Sequence, residues 1–388
     1  MYLFEWGIWS IRSESPEKKA HEEALVEKAF GPNYLEEFLG AEPTSENAEA
    51  EWSTAERASE GPTDGGAFYE VNDTFIEARA AWQEEKRGLV TFLMLGFGYA
   101  LGYLLLWKSG LWPVIHMTFY GTTPWETEPS IGAWVTTLLF TAVGSGITYL
   151  VWRYAFKFIR TELFTQRHLL IRFNRRTRQV HLHRPKYAGG IVTLPWEATL
   201  AAINPQLPDS QGLGDTLALG WPHERTGAGF DEMAFVGPPL DGNREMEGLW
   251  EYIRRYMEDG PQSVPKPKSL RSRFPWPWDS LKASLHFMRP MWRRGGGLWV
   301  VIAVLVLSPL IALHSLSHWV SMLLCWRPRW PRDIREAGRP GKPVPKLTVA
   351  EDYGPEIGGY LRANAERDAE KMQARIAKKT RRRAKAVA

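Results

Sequence analysis

At 388 residues the chain is long enough for two or three domains, and 24% charged residues with a mean hydropathy of -0.31 describe, on average, a soluble protein. The single cysteine, Cys325, excludes an internal disulfide framework and a cysteine-based zinc site. The net charge of +4 conceals an acidic arm and a basic tail: residues 1–88 carry 8 Lys and Arg against 20 Asp and Glu, and residues 327–388 carry 17 against 8. Such ends attract one another or serve two different partners, and a basic tail favours anionic lipid or nucleic acid.

The arm, 1–88, opens with MYLFEWGIWS, which lacks the basic n-region of a secretory signal. Ser15-Pro16 is expected to open a helix that Gly31-Pro32 closes, and Asn33 to cap a second one ending at Gly40. Residues 41–66, rich in Glu, Ser, Thr, Gly and Pro, read as a flexible linker. A helix from Asn72 to Arg87 is expected to run straight into the first apolar block.

Residues 89–152 read as a transmembrane hairpin. Leu89–Trp107 has 19 residues and Ile131–Trp152 has 22, none charged, and a hydrocarbon core of about 30 Å needs about 20 helical residues. Arg153, Lys157, Arg160 and Arg167 follow the second block, whereas 108–130 holds only Lys108 against Glu126 and Glu128. The positive-inside rule therefore puts both ends in the cytoplasm. Gly98, Gly102, Gly144 and Gly146 are placed to let the two helices approach closely.

Residues 153–260 carry short alternating runs at Arg167–Asn174, Gln179–Arg184, Gly190–Pro195, Leu217–Trp221 and Glu232–Val236. A helix follows over Asn243–Met257, with Met246, Leu249, Trp250, Ile253 and Met257 at helical spacing. The expected fold is an α-helical integral membrane protein with a cytoplasmic α+β domain, an antiparallel β-sandwich or barrel closed by a C-terminal helix. It is pleckstrin-homology-like by analogy, which implies no ligand.

Residues 261–297 form a linker in which Trp276, Trp278 and Trp292 with Lys282, Arg289, Arg293 and Arg294 suit an anionic membrane face. The third apolar block, 298–326, would rise about 43 Å as one straight helix, too long for a single span. Pro309 is expected to divide it into a bent span, a re-entrant hairpin, or a span followed by an interfacial helix. The basic tail, 327–388, argues for a cytoplasmic C-terminus and so for a re-entrant or in-plane block.

Candidate chemistry is sparse. His181 and His183 alternate on a strand and share a face, where they begin a metal site or form a polar surface for a partner. His314 and His318 share a helix face at membrane depth, where they ligate haem iron or a metal, or form a polar stripe toward a partner helix. Arg172, Arg175, Arg176 and Arg178 surround one tight turn, a hairpin tip suited to lipid headgroups. No Walker A, GxSxG, GxGxxG, HExxH or paired-carboxylate pattern occurs, so no enzyme, metal or cofactor is expected. Contacts with a partner or lipid fall to these four arginines, His181, His183, Arg184, Trp196, Trp276 and Trp278.

The string IRFNRRTRQVHLHRP (Ile171–Pro185), followed by GGIVTLPWEA (Gly189–Ala198), resembles an uncharacterised proteobacterial membrane-protein family often encoded near type VI secretion and polymorphic toxin genes. The resemblance spans residues 85–260. It implies a multi-pass inner-membrane protein with its soluble bulk in the cytoplasm and a part in interbacterial competition. The role implied is immunity, neutralising a cognate effector by binding; an effector-loading accessory and a membrane enzyme or transporter component are the alternatives. Anionic lipids and a homo-oligomer are compatible partners, and nucleic acid is not expected.

Overall fold

The computed structural model describes residues 2–30, 50–80, 84–125, 127–203, 215–240, 242–288, 291–292 and 295–387. The chain begins with helices α1 (Leu3–Ser13) and α2 (Pro16–Phe30), then strands β1 (Ala50–Ser53), β2 (Phe68–Val71) and β3 (Phe75–Arg79). A long helical rod follows: α3 (Leu89–Leu101), a wider π-helical stretch over Gly102–Leu111, and α4 (Trp112–Tyr120). It is answered by α5 (Ile131–Glu162). Strands β4 (Leu170–Asn174), β5 (Gln179–His183), β6 (Ile191–Pro195), β7 (Leu200–Ile203) and β8 (Asp215–Trp221) come next. Then come α6 (His223–Thr226), β9 (Glu232–Leu240), α7 (Asn243–Glu258), α8 (Pro277–Ser284), α9 (Gly297–Leu323), α10 (Arg332–Glu336) and α11 (Pro355–Val387).

The strands form two antiparallel sheets, ordered β1-β7-β8-β9 and β2-β3-β4-β5-β6. Both are open, so of the expected sandwich or barrel the closed form is not what is built. On β3, β4 and β5 the residues Ile76, Ala78, Ile171, Phe173, Val180 and Leu182 alternate inward and are buried together. Helix α7 lays Met246, Leu249, Trp250, Ile253 and Met257 on the same core, as their spacing predicts. Trp196, Trp221 and Trp250 are fully buried there. Two of these indoles find acceptors: Trp196 Nε1 donates to Glu258 Oε1 at 2.6 Å and Trp221 Nε1 to Thr199 Oγ1 at 2.9 Å.

The arm differs from its sequence reading. Phe75–Arg79, expected as helix, is the strand that joins β2 to β4, with Ile76 facing Phe173 and Ala78 facing Ile171. Two buried apolar positions one residue apart satisfy a sheet and would fall on different sides of a helix. Within the expected linker, Ala50–Ser53 pairs with β7, and Thr63 N donates to the Gly248 carbonyl of α7. The Gly31-Pro32, Asn33 and Gly40 helix signals, and 41–49, lie outside the described residues. Attraction between arm and tail is present: Lys19 pairs with Asp368 at 2.8 Å, and Arg367 and Lys371 both pair with Glu23.

Three helices are long and apolar enough to cross a membrane: Glu84–Tyr120, Ile131–Arg160 and Gly297–Leu323. The first two touch through small residues, since a Cβ on Gly144 would lie 2.8 Å from the Leu105 carbonyl and one on Gly98 3.0 Å from Trp152. Gly146, expected to share that role, faces open space. Pro309 does not divide the third helix, which runs unbroken over 27 residues. The carbonyl that proline leaves without an N–H, that of Leu305, accepts instead from Ser308 Oγ at 2.8 Å.

Arg87 welds the roots of these helices to the domain. Fully buried, it donates to the carbonyls of Glu162 and Arg167, both at 2.6 Å, to Tyr2 Oη and Ser321 Oγ at 3.1 Å, and to Cys325 Sγ at 2.8 Å. The Glu162 carboxylate turns the other way and accepts from Thr91 N at 2.8 Å and Thr91 Oγ1 at 2.7 Å, in the first turn of α3. The segment that holds α8 and the third helix leaves from the domain and returns to it. Arg271 N donates to the Phe68 carbonyl just before α8, and Trp326 N to the Thr165 carbonyl just after α9.

Candidate functional site: an arginine-lined groove

After α9 the chain runs back across the outer face of the five-stranded sheet. That face carries the polar half of each alternation: Glu77 and Arg79 on β3, Arg172 and Asn174 on β4, Gln179, His181 and His183 on β5. The returning strap caps it. Trp330 and Ile334 pack on Tyr69 and Leu170; Asn174 Nδ2 donates to the Ala337 carbonyl at 3.1 Å and Gln179 Nε2 to the Pro345 carbonyl at 2.7 Å. Residues that looked solvent-facing are therefore interior and need partners.

This placement decides what the sequence candidates do. His181 Nδ1 meets Thr193 Oγ1 at 3.0 Å, and burial, reinforced by Arg172, pushes its imidazole down to about 3. His183 is held between Gln166 Oε1 and the Arg329 carbonyl, both at 3.1 Å, with its ring edge-on to Trp330. Arg184 forms a buried pair with Glu232 at 2.5 Å, joined by Arg12 at 2.7 Å. Burial would raise the Glu232 carboxyl, but Arg184 and then Arg12 hold it below the ordinary carboxylate range. Trp196 belongs to the core. Expected at a contact surface, Arg172, His181, His183, Arg184 and Trp196 are instead internal.

Around the expected hairpin tip, Arg178 sits at φ +55 and bridges Glu197 and Glu258 at 2.7 and 2.9 Å, while Arg176 is exposed and Arg175 half-buried. Trp276 and Trp278 are exposed and stacked, ring centroids 4.7 Å apart. His314 Nδ1 meets Ser284 Oγ at 2.7 Å and His318 Nδ1 meets Ser280 Oγ at 2.8 Å, so both histidines are tied to α8. Among the described residues no group of three or more His, Cys, Asp or Glu side chains gathers to hold a metal.

A groove of about 760 Å³ opens where the strap leaves the sheet. Its wall is the β2–β3 turn, in which Asn72 Oδ1 accepts from the backbone of Thr74 and Phe75, each at 2.9 Å. Gly338, at φ +80, lets the strap close on this turn, since a Cβ there would lie 2.8 Å from Thr74 Cγ2. Six arginines line the groove, Arg172, Arg273, Arg327, Arg329, Arg335 and Arg339, against the acids Glu70 and Asp73, a formal excess of four positive charges.

The floor of the groove is rigid. Arg172 lies between the rings of Phe75 and Trp330, 3.9 and 4.8 Å from their centroids, and is bonded to Glu77 at 2.7 Å. Arg273 bridges Glu70 and Glu77, both at 2.7 Å. Arg327, Arg329, Arg335 and Arg339 are exposed, and none forms an ion pair among the described residues. Of the six, sequence reasoning singled out Arg172 alone. The signal for four of the others was the basic run Arg327, Arg329, Arg332, Arg335 and Arg339 directly after an apolar block, and Arg273 stands outside that run.

Comparison with known proteins adds a match without an activity. No curated protein and no solved structure matches the chain. Residues 233–341 match a family described as "Family of unknown function (DUF6708)", a stretch that holds five of the six groove arginines and leaves Ile171–Ala198 outside it.

Proposed function

We propose that the chain is an inner-membrane protein that acts by binding and not by catalysis, as the immunity partner of a cognate type VI secretion effector. The observation that carries the binding reading is the chemistry of the groove. Its positive charge is all arginine, which keeps its proton at physiological pH and so holds anions without donating a proton, accepting one or attacking. The toxin-locus part is drawn from the resemblance over Ile171–Ala198.

In this reading the hairpin crosses the membrane twice, and α8 with the third helix forms a re-entrant unit whose two flanks both lie on the cytoplasmic side. Support for that arrangement comes from the domain contacts on both flanks of α8 and α9, through Phe68 and Thr165. The effector meets the domain and the helix hairpin. A strain that lacks the chain but keeps the toxin should intoxicate itself under secreting conditions; unimpaired growth would refute the immunity role. Lost effector export with intact resistance would assign the chain to effector loading instead.

A further inference from the structure

We infer that the arginine groove is a binding site for a phosphate-bearing anion, carried by a lipid headgroup or by a soluble molecule. The inference rests on reading the groove as a binding site, and it is independent of the toxin locus.

The charge in the groove is unspent. Arg172 and Arg273 are held by Glu77 and Glu70, but Arg327, Arg329, Arg335 and Arg339 meet no carboxylate among the described residues. Guanidinium forks match the oxygens of a phosphate in pairs, and several forks around one cleft suit a compact, multiply charged anion better than scattered single carboxylates. The volume, about 760 Å³, lies in the range of sites that take a small molecule or a headgroup.

A second observation lies deeper. An inner cavity of about 30 Å³ shares Arg273, Arg327, Pro328 and Trp330 with the groove and is closed by Glu77, Leu170 and His168. His168 is only 7% exposed, and its Nδ1 is engaged by Glu84 Oε1 at 2.9 Å and Tyr69 Oη at 3.1 Å. Its Nε2 has no hydrogen-bond partner among the described residues, although it lies behind two arginines. With Nδ1 donating to the Glu84 carboxylate, Nε2 is a buried acceptor, and it marks a place for one donor, such as the hydroxyl of a protonated phosphate or a water that bridges to the anion.

Position completes the case. Arg327 follows the end of α9 at Leu323, and Arg273 precedes the exposed rings of Phe274, Trp276 and Trp278. Aromatic side chains of this type prefer the headgroup level of a bilayer, which places the groove within reach of lipid phosphates and of anions in the adjoining solution.

The test uses the full chain in uncharged detergent, titrated with inorganic pyrophosphate and, separately, with phosphatidic acid in phosphatidylcholine micelles. Saturable binding of pyrophosphate alone identifies a soluble ligand, and of phosphatidic acid alone a headgroup; either supports the site. The variant Arg327→Gln/Arg329→Gln/Arg335→Gln/Arg339→Gln should bind roughly a hundredfold more weakly. The control Lys266→Gln/Lys268→Gln should bind as the wild type. All four arginines are exposed, so the thermal midpoint should not move; if it does, Arg335→Gln and Arg339→Gln are measured singly, each with a loss of roughly tenfold.

No saturable binding of either probe, undiminished binding by the variants, or an equal loss in the lysine control would overturn the inference. So would equal affinity for polyglutamate, which would point to an acidic protein. A chain that binds phosphate yet fails to protect its host keeps this inference and loses the immunity role.

Discussion

Replacing Arg87 by methionine tests the weld between the helices and the domain. Methionine fills the arginine stem but donates nothing, so the Glu162 and Arg167 carbonyls, each held at 2.6 Å, lose a charged donor together with Ser321, Tyr2 and Cys325. Hydrogen bonds to a charged group are worth roughly 1.5–3 kcal/mol each, so the two short ones alone amount to about 3–6 kcal/mol. Against this, a buried charge that is bonded to no carboxylate among the described residues is removed, which returns a few kcal/mol of desolvation. The carbonyls decide the sign. Tyr2 Oη is already committed to the Arg167 carbonyl at 2.7 Å and cannot also serve Glu162.

We expect Arg87→Met to lose about 3 kcal/mol, a factor of more than a hundred in the folding equilibrium. Thermal unfolding in uncharged detergent should show a midpoint lowered by several degrees, and limited proteolysis should cut the chain near Tyr2 first. Arg87→Lys, with fewer donors and a point charge, should fall between the two. A midpoint equal to wild type in Arg87→Met would refute the weld.

Other outcomes follow from single contacts. Gly144→Leu forces a side chain against the Leu105 carbonyl and should destabilise the hairpin by about 1–3 kcal/mol, read as a lowered midpoint. Its neighbour Gly146→Leu, with open space around it, should not. Arg184→Met strands the buried Glu232 with Arg12 alone and should cost about 3–5 kcal/mol, whereas Arg184→Met/Glu232→Leu should recover much of it. His181 titrates near 3 when folded and near its ordinary value of 6.5 when unfolded, so the unfolded chain binds the extra proton between those limits. The stability it contributes is complete above pH 6.5 and falls by about 1.4 kcal/mol per unit as pH drops toward 3. His181→Asn should flatten that part of the curve, and identical pH profiles for the two chains would refute the assignment.

Much of the scaffold was legible because its signals are local. The apolar face of α7, the paired runs that became β4, β5 and β6, and the apolar helices all follow from periodicity within one element. The arm was misread where a strand pattern was short and its polar half looked solvated: Glu77 and Arg79 are buried, but by Arg172, Glu84, Glu85 and Trp330, two of which come from distant parts of the chain. The groove was illegible for the same reason. Arg172 and Arg329 meet only because the chain returns across the sheet after α9, and a run of arginines next to an apolar block looks the same whether it borders lipid or lines a cleft. His314 and His318 were legible as a polar pair, while their serine partners on α8 were not, since no periodicity links two separate helices.

The binding role is tested most directly by purifying the full chain in uncharged detergent from its own host, under secreting conditions, with and without the cognate toxin gene that the proposal calls for. Quantitative mass spectrometry should find the toxin at near-equal molar amount with the chain, and nothing in its place when the gene is deleted. A chain that purifies free of the toxin while that toxin is being made would contradict the proposal.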